Sequence, residues 1–137
     1  MDVRLDRFYN HPIERVWEVL TTEDKLAQWW QSADFKPEVG YKFTIKDEPQ
    51  GGWDGTLQGE VLTADQPHTL EYTWHGDQMN NVTVVKWILE SEGEGTRLRL
   101  EHTGFKGLKD SVIGFFHRSG WGKYLDHLAG QMAAVQA

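Results

Sequence analysis

The chain has no cysteine, which excludes disulfides, cysteine-ligated zinc and a thiol nucleophile. Cationic charge is scarce. Lys and Arg total 14 against 21 Asp and Glu, a net charge of −7. An acidic domain repels phosphate backbones, so no nucleic acid partner is expected. The acidic residues are scattered rather than gathered into a tail, as on a solvated surface. The opening residues Met1-Asp2-Val3-Arg4-Leu5-Asp6 lack the basic and apolar stretches of a signal peptide. No apolar run approaches the length that crosses a bilayer. The expectation is a cytoplasmic protein with no membrane insertion.

Several chemical signatures are also missing. The histidines give no metal signature, because His117 and His127 are too far apart for one helical face to clamp an ion and no His-Glu-x-x-His occurs. Gly51-Gly52-Trp53-Asp54-Gly55 lies at a turn into a strand, not before a helix, so it is not a phosphate-binding loop. There is no Gly-x-Ser-x-Gly elbow for a serine nucleophile. Repeats, low-complexity stretches and linkers are absent. No cofactor or metal is expected.

Tryptophan, by contrast, is abundant: seven in 137 residues. Indoles either fill a core or line an aromatic pocket, and different ones can do each. The length fits a single domain over residues 1–137. Such a chain buries roughly two-thirds of its unfolded surface without staples.

Val3 to Tyr9 reads as a strand. Asn10 or His11 is placed to cap a helix with Pro12 at its first position, and Ile13, Val16, Trp17 and Leu20 follow at helical spacing. Thr21-Thr22-Glu23-Asp24 opens a second short helix, whose buried face is Leu26, Trp29 and Trp30. Tyr41 to Lys46 alternates with Phe43 and Ile45 on one face, and Glu48 to Gly52 is a turn. Trp53 to Ala64 is a strand in which Gly55 and Gly59 imply a bulge or bend. Thr69 to His75 puts Leu70, Tyr72 and Trp74 on one face. Val82 to Glu90 is apolar on both faces, as in a central strand or one covered from outside. Thr96 to Thr103 alternates cleanly, with Leu98, Leu100 and His102 facing one way. Within Val112 to Val135, the residues Trp121, Leu125, Leu128, Met132 and Val135 share one face of a long helix. Short turns between consecutive strands predict an antiparallel meander. The fold class expected is α+β, a curved sheet of about six strands around the long C-terminal helix, with two short helices after the first strand.

This order resembles the START-like or helix-grip superfamily. Within it the chain is similar to bacterial homologues of the C-terminal domain of the activator of the 90-kDa heat-shock protein ATPase. The matching stretches are Pro12-Ile13-Glu14-Arg15-Val16-Trp17, Leu26-Ala27-Gln28-Trp29-Trp30, Val39-Gly40-Tyr41-Lys42-Phe43, Gly59-Glu60-Val61, Leu70-Glu71-Tyr72-Thr73-Trp74, Gly95 to Phe105 and Gly120 to Leu128. The resemblance implies a cup around a mostly hydrophobic cavity. It implies a lipid-, flavonoid- or polyketide-like ligand, in a stress or secondary-metabolite response, or else a chaperone partner. No catalytic motif carries over, so it does not support an enzyme.

Candidate ligand-binding residues are Trp30, Trp53, Tyr72, Trp74, Trp87, His102, Phe116 and Trp121. Trp53, Tyr72, Trp74, Trp87 and Trp121 occupy strands or the long helix, where indole N–H and phenol O–H groups could orient a ligand. Trp30, near the second short helix, is expected at the pocket mouth. His102 shares a strand face with Leu98 and Leu100, so it should look toward the helix, as an acid or base or as a buried, paired imidazole. Phe115 and Phe116 are adjacent and cannot both face the cup, and Phe116 is expected to be the inward one. Glu60 lies opposite Leu57 and Val61, and would pair with His102 only if a bulge near Gly59 inverted the pleat.

Overall fold

The computed structural model describes residues 2–49 and 53–136. Among these described residues, seven strands and three helices run in the order β1 (Val3–Tyr9), α1 (Ile13–Thr21), α2 (Glu23–Leu26), β2 (Ser32–Asp34), β3 (Lys42–Lys46), β4 (Thr56–Asp65), β5 (Thr69–Gly76), β6 (Thr83–Glu92), β7 (Gly95–Thr103) and α3 (Gly107–Gln136). The strands form one antiparallel sheet in the order β1-β7-β6-β5-β4-β3-β2. This is the helix-grip arrangement, an open meander from β2 to β7 to which the first strand is added as an edge beside the last.

Alternation decides which face of each strand is buried. Phe43 and Ile45 of β3, Leu70, Tyr72 and Trp74 of β5, Val85, Trp87 and Leu89 of β6, and Leu98, Leu100 and His102 of β7 all point into one core. The buried stripe of α3, namely Trp121, Leu125, Leu128 and Met132, covers that concave face. The side chain of Val135 lies outside the described residues, as do residues 50–52 of the expected turn. The Tyr9 hydroxyl donates to the carbonyl of Leu125 at 2.6 Å, pinning β1 to the helix.

Four features differ from the sequence reading. The sheet has seven strands, because Ser32–Asp34 pairs with β3; three residues are too few to show a period. Trp53 forms only an isolated bridge, and β4 begins at Thr56. The irregularity of β4 falls between Val61 and Thr63, not at Gly59. Gly59 is required for close approach instead, since a Cβ there would meet the Thr73 carbonyl and the Phe43 ring. Neither short helix has a side-chain cap, and Pro12 itself occupies the N-cap position of α1.

β6 lies inside the sheet, between β5 and β7. Its outer residues Val84 and Ile88 are half-buried, while Val82 precedes the strand and is exposed. Among the described residues, no helix is long and apolar enough to cross a membrane.

Candidate functional site: an aromatic cleft between the long helix and the sheet

Beneath the first half of α3 the sheet does not close completely, leaving a cleft of about 610 Å³. Three sides build it. The segment after α2 supplies Trp29 and Trp30. The ends of β3, β4 and β5 supply Asp47, Trp53, Leu57 and Trp74. The helix supplies Ile113, Phe116, His117, Gly120, Trp121 and Lys123.

Five predicted residues, Trp30, Trp53, Trp74, Phe116 and Trp121, line this cleft. Trp74 packs on Trp121 with ring centroids 5.1 Å apart, and Trp30 lies 6.2 Å from Trp74. The Trp53 indole donates to the Thr56 carbonyl at 3.1 Å, which fixes its ring at the start of β4. Phe116 corrects the sequence reading. It touches the cleft mouth but is 67% exposed, and the inward course of the helix runs through Gly114, His117 and Trp121 instead.

Tyr72, Trp87 and His102 stand behind the cleft wall and fill the core. Trp87 donates to the Tyr72 hydroxyl at 2.9 Å, satisfying two polar groups inside the sheet. Burial pushes the Tyr72 phenol well above its ordinary range, so it stays neutral.

His102 is fully buried and engaged at both ring nitrogens. The Trp121 indole donates to its Nδ1 at 3.0 Å. An indole N–H can only donate, so Nδ1 is bare and Nε2 carries the proton. That proton faces Thr83 Oγ1 at 2.7 Å, and the Thr83 hydroxyl in turn donates to the Trp74 carbonyl at 2.7 Å. The chain Trp121–His102–Thr83–Trp74 ties the helix to β7, β6 and β5 through neutral donors and acceptors. Burial, with a smaller contribution from His117, lowers the His102 pKa to about 2.

His117 is the residue that the sequence reading considered only as a metal ligand. The Trp74 indole donates to its Nε2 at 3.0 Å, and its Nδ1–H donates to the Ile113 carbonyl at 2.9 Å. Burial lowers its pKa, partly offset by the bond to Ile113. Its signal was present in the sequence, since it sits one turn before Trp121 on the face that faces the cup. Asp47 and Lys123 carried no comparable signal. Their place at the rim comes from where β3 ends and where α3 crosses it.

Glu60 is half-buried on the outer face of β4, three strands from β7. It forms no pair with His102. Among the described residues, no group of three or more His, Cys, Asp or Glu could hold a metal ion. Trp74, Trp53 and His117 spend their ring N–H groups on internal partners, so the cleft wall presents mainly aromatic faces, with Asp47 and Lys123 at the rim.

A helix-grip sheet with a cleft under its long helix defines the class of protein. The particular family follows from sequence. Residues 10–133 match the family model described as Activator of Hsp90 ATPase homolog 1-like protein, and the chain belongs to that family. Protein MLL2253 from Mesorhizobium loti is similar over 100% of this chain and 99% of its own, at 30% identity and a TM-score of 0.85. CalU16 from Micromonospora echinospora is 24% identical over 96% of this chain and 74% of its own, with a TM-score of 0.76. PFC0360w, an HSP90 activator from Plasmodium falciparum, shares the fold at 22% identity over 75% of this chain and 72% of its own, TM-score 0.65. No curated protein matches the chain.

Proposed function

We propose that this protein binds a small apolar molecule, flat or elongated, in the cleft between α3 and the sheet. The observation that carries this is the cleft itself, about 610 Å³ and walled by Trp30, Trp53, Trp74 and Trp121. Pockets of this size, with a few polar groups at one end, suit lipid-, flavonoid- or polyketide-like ligands. Aromatic faces would hold the ligand by stacking and desolvation, while Lys123 and Asp47 meet its polar end. Tyr72, Trp87 and His102 hold the wall in place. Apolar burial contributes about 25 cal/mol per Å², which brings micromolar affinity within reach. A stress or secondary-metabolite response in the cytoplasm is the setting that accompanies this reading.

The test is a thermal-shift and tryptophan-fluorescence screen with flavonoids, fatty acids, sterols and aromatic polyketides. A ligand held only by the folded state raises its melting temperature. Gly120→Leu is the control. Gly120 lines the cleft, and a Cβ there meets nothing within 4 Å, so leucine would fill the space without straining the helix. Binding lost in this variant supports the cleft. No response across all four ligand classes refutes the reading.

A second reading, a chaperone-interacting module, draws on the family description and on an exposed apolar face of α3. It predicts a complex with the 90-kDa chaperone that alters its ATPase rate. An acid–base cyclase is less well supported, since Glu60 and His102 are apart.

A further inference from the structure

The first half of α3 is apolar on both sides. Its inner face enters the core, but Leu108, Val112, Phe115 and Phe116 form a second stripe on the solvent side, 85%, 50%, 62% and 67% exposed. Their spacing of four, three and one places them together, opposite the buried Asp110, Gly114 and Trp121. Val82, 59% exposed, lies in the adjoining loop. That loop is fastened to α3 where Asp110 accepts from the Asn80 backbone at 3.1 Å and the Asn81 amide at 3.0 Å.

Charge follows the same segment. The chain as a whole is acidic, yet residues 104–123 carry Lys106, Lys109, Arg118 and Lys123 against one carboxylate, the buried Asp110. The nearby acids are Asp77 in the loop, Asp47, which lines the same cleft as Lys123, and Asp126 one turn beyond Lys123, the last 3.8 Å from Arg7. An outward aromatic stripe bordered by lysine and arginine has the chemistry of an interfacial helix lying on anionic headgroups. The stripe is continuous with the cleft, because Phe116 belongs to both and Lys123, on the stripe's border, also lines the cleft.

We propose that the outward face of the first half of α3 docks on an anionic lipid bilayer, where the cleft opens toward the acyl phase to take up its ligand. Only the uptake rests on the ligand reading; the docking stands on the stripe and its cations. The helix adsorbs without spanning, and a ligand passing from bilayer to cleft would not cross bulk water.

The experiment is co-sedimentation with vesicles of phosphatidylcholine, alone and with phosphatidylserine. Partition should appear on the phosphatidylserine vesicles, strengthened roughly fivefold by each cation at the surface, and fall with added salt. The double variant Leu108→Ser, Phe115→Ser touches neither core nor cleft wall. It should lower partition at least about tenfold, while the quenching of tryptophan fluorescence by an anilinonaphthalene sulfonate dye is unchanged. No partition on phosphatidylserine vesicles, or equal partition of the double variant, overturns the proposal. So does a wild-type dimer that the double variant abolishes, if no vesicle binding accompanies it, since the face would then join two copies. Vesicle binding by a protein that takes up no dye supports the docking and refutes the cleft reading alone.

Discussion

Acidification should weaken this protein through one histidine before its carboxylates titrate. His102 is fully buried, and burial lowers its pKa from 6.5 to about 2. Between those values the unfolded chain takes up a proton that the folded chain refuses. Its contribution to stability is therefore complete above pH 6.5 and declines as the pH falls toward 2. Each pH unit in that window costs about 1.4 kcal/mol. From pH 7 to pH 5 the loss is about 2 kcal/mol, and it does not depend on where below pH 4 the folded value lies. For a domain of this size that is roughly 6–10 °C in melting temperature. His117, also lowered by burial, acts in the same direction. The perturbation is His102→Gln, whose amide oxygen can still accept the Trp121 indole N–H but takes up no proton. The assay is urea unfolding at pH 7, 6 and 5, followed by far-ultraviolet circular dichroism. The variant should be less stable at pH 7 yet lose about 2 kcal/mol less than the parent on going to pH 5. Equal losses in parent and variant would refute the reasoning, as would an NMR titration showing His102 protonated at pH 5.

Three further outcomes are expected. Gly122 lies within α3, and a methyl group added at its Cα would meet nothing within 4 Å, so Gly122→Ala should raise stability by about 1 kcal/mol in chemical denaturation. Gly59→Ala should cost about 2–4 kcal/mol, because the new methyl meets the Thr73 carbonyl and the Phe43 ring; unchanged melting would contradict the close approach of β4 and β5. Asp110→Ala should cost about 1–3 kcal/mol and speed amide exchange at Asn80, whose N–H loses its acceptor.

The legible part of the fold was the part with a repeating period. β3, β5 and β7 alternate cleanly, so their buried faces could be read from the sequence, and the bounds of these strands and of β1 within a residue or so at each end. The face of α3 through Trp121, Leu125, Leu128 and Met132 was equally plain, because four successive turns repeat it. β2 was not legible, since three residues have no period and only the edge of β3 makes them a strand. Gly59 is ambiguous in the sequence. A glycine in a strand marks either a bulge or a close approach, and only the facing atoms decide which. The same limit applied at the cleft. Aromatic residues on inward faces could be collected, but not divided into those that line the space and those that fill it. Tyr72 and Trp87 satisfy each other inside the core, while Trp30, Trp53, Trp74 and Trp121 border the opening.

The sequence alone determined the class of fold, the concave apolar face and the helix laid across it, because periodicity and turn residues are local. The tertiary structure decided where the sheet fails to close, which indoles face that gap, and that His102 is consumed in a neutral chain from Trp121 to Thr83. It also decided that Phe116 faces outward. A one-residue step turns a helical side chain by about 100°, so at most one of the two adjacent phenylalanines could face the cup, and neither does, both being exposed. The direction of each is set by the crossing of the helix over the sheet, a contact between segments far apart in the chain.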